Sequence, residues 1–195
     1  MTPDKWQGCT NIQQMLDHLR QEGCWQALWT FSVMCSHRIG DQLPSEMSIE
    51  ALEEFRNCKS GELNAKLSEL EPALAREMKH YHARMVMGRH ETQYHSMRAT
   101  NDYLSIEVLI LLFENSRDLT GGGETVVAEA VADVAANRDL IRSGQCDSAV
   151  EQFRREFDLF RHQELRRQVD LLRSIQPIPP NSLSNSAAPI HSDQY

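Results

Sequence analysis

The stretch YLSIEVLILLF, residues 103–113, is the most apolar part of the helix that contains it, and it decides the fold class. Its apolar side chains cover more than one side of a helix, as they do in a helix that is buried over most of its surface. The longest uninterrupted apolar run, Val108 to Phe113, is far shorter than the roughly 20 residues that cross a bilayer. The stretch therefore predicts a helix from about residue 91 to residue 116 that is the most buried element of a soluble domain.

Outward from this stretch, apolar residues recur every three or four positions, and no sustained two-residue alternation predicts a strand. We predict an all-α, single-domain bundle of about seven helices over residues 3–175. The first helix is expected to begin at Thr10, with Gln13 completing a capping box, and a later one at Pro44 and Ser45, with Ile49 facing inward. Pro72 predicts either a kink or a new helix. Residues 176–195, rich in proline, serine and asparagine, predict a disordered tail.

Composition excludes several classes of protein. The formal net charge of −8 argues against broad binding to nucleic acid or to an anionic membrane, because a phosphate-binding surface needs an excess of cations. Five cysteines without a C-x-x-C pair indicate reduced thiols rather than a disulfide framework or a zinc knuckle. The first thirty residues lack the pattern of a secretion signal. We expect a cytoplasmic protein.

Histidines are concentrated in residues 78–95, MKHYHARMVMGRHETQYH, which raises the hypothesis of a metal site. Glu77 and His80 form an E-x-x-H pair, which places both on one helix face, as in the two-metal sites of helical bundles. Glu91 and His95 are one helical turn apart and complete a set of four ligands for a divalent metal. However, there is no second E-x-x-H pair, and HETQYH misses the H-E-x-x-H spacing by one residue. A metal-dependent hydrolase or oxidase is therefore the second of two functional hypotheses.

The first hypothesis starts from charge segregation. Residues 76–98 contain five Lys/Arg and two acids, whereas residues 41–71 contain eight acids and three bases. Either the basic segment packs beside acidic helices that offset its charge, or an acidic protein or a nucleic acid binds it. In the second case histidine protonation would tighten the contact as the pH falls toward about 6.5. The predicted contact surface consists of Trp6, His80, Arg84, Arg89 and His90.

Three pieces of the chain resemble a family of short uncharacterised helical proteins that occur in many copies in planctomycete bacteria. The opening W-x-x-C-(T/A)-(D/N)-x-x-x-M-L-x-x-L-R is matched by Trp6, Cys9, Thr10, Asn11, Met15, Leu16, Leu19 and Arg20. A helix with Leu28, Phe31, Cys35 and Arg38 follows, and a closing Q-x-x-L-L-R-x-I is matched by Gln168, Leu171, Leu172, Arg173 and Ile175. The chain departs from the family at Ile12, where proline is usual, and after Ile175, where an F-G-N-P-F-R-P segment is usual. The resemblance implies a helical fold in a bacterial cytoplasm and, because the shared residues are core types, a scaffold rather than an enzyme.

These observations lead us to expect a non-catalytic interaction or accessory module without a cofactor. Its expected partner is a protein, acidic in character, and a second copy of the chain is a further partner to consider.

Overall fold

The computed structural model describes residues 1–58, 63–88, 92–118, 120–145 and 150–177. Within these ranges the chain forms eight α-helices and one short 3-10 helix, with no β-strand, which confirms the all-α prediction. The elements are α1 (Pro3–Gly8), α2 (Ile12–Gln21), α3 (Trp25–His37), η1 (Gly40–Gln42), α4 (Glu46–Asn57), α5 (Ala65–Met87), α6 (Gln93–Arg117), α7 (Gly123–Ser143) and α8 (Val150–Ile175). None of the described helices combines the length and apolar character that a membrane span requires.

The N-terminal end differs from the prediction. A short helix, α1, precedes the expected first helix, and its N-cap is Thr2, whose hydroxyl accepts a hydrogen bond from the Lys5 amide. The cap of α2 is Asn11 rather than Thr10, because the Asn11 side chain accepts a hydrogen bond from the Gln14 amide at 3.1 Å. Asparagine and threonine are both good caps, so the sequence does not separate these adjacent positions.

The predictions for α4 and α5 are partly confirmed. Ser45 caps α4 and forms a reciprocal capping box with Ser48. Ile49, expected to face inward, is 47% exposed. The helix α5 runs through Pro72 without a second start. Pro72 and Ser68 are both exposed, so water can satisfy the Ser68 carbonyl that loses its amide partner.

The core is built around α3, α6 and α7, which pack against one another. Seven of the 13 residues of α3 are buried, against ten of 25 in α6. The expectation that α6 is the most buried helix is therefore wrong, since its burial is concentrated in the second half of its length. At the centre, Phe113 meets Phe55 edge to face with ring centroids 4.6 Å apart.

The three-glycine turn before α7 has a structural role. Gly122 has φ +81°, in the left-handed region that favours glycine, and a Cβ on Gly123 would lie 2.7 Å from Oδ1 of Asn115. These glycines allow α7 to begin close to α6 and to α2. Glu124, which follows them, is thereby placed inside the domain.

The end of α8 packs against α1. The Trp6 indole donates to the carbonyl of Gln176 at 3.0 Å, and the Gln7 side chain donates to the carbonyl of Pro177 at 2.8 Å. The first two residues of the predicted tail thus belong to the packed domain. The remainder of that tail, residues 178–195, lies outside the described residues.

Candidate functional site

Most described cations form ion pairs, and two of these pairs are buried. Arg20 on α2 binds Glu124 on α7, whose side chain is fully buried. Arg38, just after α3, binds Glu164 on α8, whose side chain is 1% exposed. A buried carboxylate without a partner is strongly destabilising, so both arginines stabilise the packing of the N-terminal helices on α7 and α8. These pairs are structural contacts.

The cations without an ion pair are concentrated in the basic segment. Among the described residues, the cations outside ion pairs are Lys5, Arg76, Lys79, Arg84, Arg98, Arg154 and Arg166. Four of them lie within residues 76–98. The acidic helices have other partners: Glu50 and Glu54 bind Lys66, and Glu71 binds Arg117. The described acidic neighbours therefore do not form ion pairs with this segment.

Three of the basic residues follow one face of α5. Arg76, His80 and Arg84 are spaced four residues apart, so their side chains lie on the same face at successive turns, about 6 Å apart along the axis. Lys79 lies beside them, and all four residues are exposed. We call Arg76, Lys79, His80 and Arg84 the basic stripe. The stripe leads to Val86 and Met87, which are 43% and 74% exposed.

The other predicted contact residues are divided between the core and residues that are not described. Trp6 is 0% exposed, and its indole donates to Gln176 within the domain. Trp6 is a core residue, so the expectation that it belongs to an exposed contact surface is wrong. Arg89 and His90 lie outside the described residues.

The four predicted metal ligands are not brought together by the described part of the chain. His80 packs on the ring of Tyr81, and His95 packs on the ring of Tyr94. Among the described residues, Glu77, His80 and His95 do not form a group of three with spacing that suits a metal ion. A site built from the predicted set would depend on Glu91, which is not described.

Two clefts are lined by Arg98, and the smaller of them also adjoins the basic stripe at Arg84. The smaller, of about 200 Å³, is lined by Arg84, His95 and Arg98 together with Met87 at the end of α5. The larger, of about 390 Å³, lies between η1, the first turns of α6 and the end of α7. Arg98 lines both. The exposed cations of α5 and α6 are thus continuous with a concave surface.

The larger cleft, which we call the arginine cleft, already contains one bound carboxylate. Asp41 on η1 accepts a hydrogen bond from Nη2 of Arg142 at 2.8 Å, and its other oxygen lies 3.7 Å from Nη1 of Arg138. Burial raises the pKa of Asp41, but hydrogen bonds from Gln42 and Arg142 and the charge of Arg138 outweigh burial and leave this pKa lowered. Arg138 also donates to Asp139 at 3.0 Å, so the arginines on α7 are matched by carboxylates of the protein itself.

Asp102 beside Arg98 behaves differently. Burial raises the pKa of Asp102 above its ordinary value, and the charges of Arg84 and Arg98 oppose this effect without cancelling it. No ion pair within 4 Å joins Asp102 to a described cation. Asp102 therefore acts on Arg98 through its charge and forms no ion pair with it.

The wall of the arginine cleft includes a polar atom without a partner. Asn101 is 3% exposed, and its Nδ2 donates to Oε1 of Gln42 at 3.3 Å. Its Oδ1 is buried and accepts no hydrogen bond from the described residues. A buried acceptor without a donor costs about 1–3 kcal/mol. The cleft is therefore lined by Arg98, which has no ion pair with a described residue, and by Asn101, whose buried oxygen lacks a donor.

The basic segment could be identified from the sequence, but the arginine cleft could not. Arg98 was part of the segment, whereas Asn101 and Asp102 look like ordinary polar positions on an amphipathic helix. Arg138 and Arg142 follow about 40 residues later, and η1 gives no periodic signal. No local pattern in the sequence joins these pieces.

No protein-family model, curated protein or solved structure matches the chain. The resemblance to the planctomycete family therefore stays a prediction. The polar residues on which the resemblance rests make structural contacts in this protein. Arg20 and Arg38 hold the buried carboxylates, Gln168 donates to the carbonyl of Ala128 at 3.0 Å, and Arg173 donates to the carbonyl of Cys9 at 2.6 Å.

Proposed function

We propose that the protein is a non-catalytic interaction module that binds an acidic segment of a partner protein along the basic stripe. The observation that supports this is the set of exposed cations at positions 76, 79, 84 and 98, which form no ion pair with described residues although the chain is acidic overall. Exposed cations outside ion pairs attract a chain of opposite charge and set its orientation.

The apolar end of the stripe adds to this interaction. Met87 and Val86 lie next to Arg84 and present exposed apolar surface. Flexible methionine side chains adapt to partners of different shapes. An acidic segment with one or two apolar residues matches this arrangement, with charge along α5 and apolar contact at its C-terminal end.

A protein partner is favoured over nucleic acid by the rest of the molecule. The net charge of −8 repels a long polyanion, whereas a short acidic segment meets only the local cations.

We also propose a cytoplasmic location. Four described cysteines, Cys9, Cys24, Cys35 and Cys58, are free thiols, which supports a reducing compartment.

The test is binding of a fluorescein-labelled oligoglutamate peptide, followed by fluorescence anisotropy. Arg84→Glu should weaken binding by about tenfold at low salt, because it replaces an attraction by a repulsion. The matched control is Arg166→Glu, which makes the same charge change at another exposed, unpaired arginine on α8 and should change the affinity by less than about twofold. Equal losses in both variants would indicate a response to net charge alone. That result, or no binding to the wild-type protein, would overturn the proposal.

A further inference from the structure

We propose that the arginine cleft anchors one acidic residue of the partner, with its carboxylate on Arg98 and a neighbouring backbone N–H on Oδ1 of Asn101. This inference rests on the proposed function, because the same partner is taken to lie on the basic stripe. It adds a defined anchor point and names the chemistry of the anchored group, a peptide-borne aspartate or glutamate.

The carboxylate of Asp41 shows how arginines in this cleft bind an acidic group. Arg142 donates to Asp41 at 2.8 Å, and Arg138 donates to Asp139 at 3.0 Å and lies 3.7 Å from Asp41, so each of these arginines already has a carboxylate partner. Arg98 lines the same cleft without an ion pair to any described residue. A guanidinium carries several donors in a fixed plane and binds a carboxylate through two of them. Arg98 is thus the cation in the cleft that remains available for a ligand.

Asn101 selects for a peptide over a simple anion. Its buried Oδ1 lacks a donor among the described residues, and Asn101 is one of the residues that line the same cleft. A simple carboxylate such as acetate has no hydrogen-bond donor and cannot satisfy this oxygen. A peptide has a backbone N–H close to each side-chain carboxylate and can complete both contacts. The volume of about 390 Å³ lies at the lower end of the usual range for ligand pockets, about 300–1,000 Å³.

The position of Arg98 makes the anchor continuous with the stripe. Arg98 also lines the smaller cleft together with Arg84. Tyr94, which is 38% exposed, lines the arginine cleft beside Arg98. Arg98 therefore connects the smaller cleft, which Arg84 also lines, to the arginine cleft.

The first experiment compares Arg98→Ala with Arg166→Ala in the full chain, using the labelled oligoglutamate peptide. Both positions are exposed and outside ion pairs, so both variants should fold. Arg98→Ala should weaken binding by about tenfold, and Arg166→Ala by less than about twofold. Arg98→Lys should recover only part of the loss, because lysine does not bind a carboxylate through two donors.

The second experiment tests the backbone N–H. An oligoglutamate peptide with N-methylated amides keeps its carboxylates but has no backbone donors. It should bind the wild-type protein more weakly than the parent peptide, and the difference should shrink in Asn101→Ala. An equal effect of methylation in both proteins would overturn the role of Asn101.

The two proposals fail in different ways. If Arg84→Glu weakens binding while Arg98→Ala does not, the basic stripe is retained and the anchor in the cleft is wrong. If neither variant weakens binding, the proposed function falls as well. If inorganic phosphate displaces the peptide from wild-type protein but not from Arg98→Ala, the cleft is a phosphate site, and the inference of a peptide anchor is overturned.

Discussion

Arg20 and Glu124 are 104 residues apart in the chain, and Nε of Arg20 donates to Oε1 of Glu124 at 3.0 Å. The glutamate side chain is fully buried, whereas 21% of the arginine side chain is exposed. The turn at Gly122 and Gly123 brings the first turn of α7 to this position. The pair is therefore a long-range contact with one partner that can reach water and one that cannot.

This asymmetry predicts unequal effects of removing either partner. Arg20→Met leaves a buried carboxylate unpaired and should lower the free energy of unfolding by about 3–5 kcal/mol. Glu124→Gln keeps a side-chain oxygen that can accept a hydrogen bond from Arg20, which also reaches solvent. This change should lower the free energy of unfolding by about 1–2 kcal/mol. Urea unfolding measures both values. The control is Arg155→Met, which breaks the exposed pair with Glu151 and should change little. A larger loss for Glu124→Gln than for Arg20→Met would contradict this interpretation.

His37 predicts a loss of stability in mild acid. Its Nε2 is buried without a hydrogen-bond partner, and burial lowers the pKa of His37, with Arg56 acting in the same direction and Glu53 opposing. As the pH falls, His37 is therefore protonated in the unfolded chain before it is protonated in the folded protein. The stabilisation by neutral His37 is complete above its unfolded pKa of about 6.5 and is lost as the pH falls toward the lower pKa of the folded state.

The measurement is the midpoint of thermal unfolding as the pH is lowered from neutral through this range. His37→Gln should lose less stability than the wild-type protein over the same interval. His80→Gln, at an exposed position on α5, should lose as much as the wild type. Identical pH profiles for His37→Gln and the wild type would show that other groups, including buried His18, whose pKa burial also lowers, account for the effect.

Phe113 is expected to be one of the most sensitive core positions. It is fully buried, and its ring meets Phe55, which in turn meets Trp29 at 6.0 Å between centroids. Phe113→Ala should lower the free energy of unfolding by about 3–5 kcal/mol, through lost transfer free energy and a cavity. Val126→Ala, on a side chain that is 50% exposed, should have a small effect in the same urea titration.

Metal analysis distinguishes the interaction module from the metal-dependent enzyme, the two hypotheses that the sequence raised. An interaction module should be purified without a stoichiometric metal ion. Elemental analysis of protein expressed in metal-supplemented medium measures this directly. A stoichiometric ion that disappears in His80→Ala and in His95→Ala would instead support the metal-dependent enzyme.

Local features of the fold could be predicted from the sequence, because they depend on neighbouring residues. The helical spacing of apolar residues gives the all-α class, and Ser45 identifies the start of α4 because a cap acts within one turn. Pro72 was ambiguous because its effect depends on whether the Ser68 carbonyl reaches water. Ile49 fits an apolar stripe by spacing, yet nothing in the stripe indicates how far the neighbouring helices cover it.

Features that depend on distant residues could not be predicted. Glu164 has the appearance of a surface residue on α8, but it is buried where α8 packs against α3 and binds Arg38, 126 residues away. Trp6 was predicted to be a contact residue. It is instead a core residue, and the Gln176 carbonyl that its indole binds lies far from it in the chain. The basic segment was visible in the sequence, but its lack of ion pairs depends on which acids lie next to it in three dimensions.

Mapping the bound peptide by NMR tests the central claim most directly. Oligoglutamate is titrated into ¹⁵N-labelled protein, and the backbone amide shifts are followed. We expect the largest changes in the second half of α5, from Arg76 to Met87, and in the first turns of α6 around Arg98. Changes centred on Arg154 and Arg166 of α8, or spread evenly over all exposed cations, would contradict the claim that the unpaired cations of α5 and α6 form the contact surface.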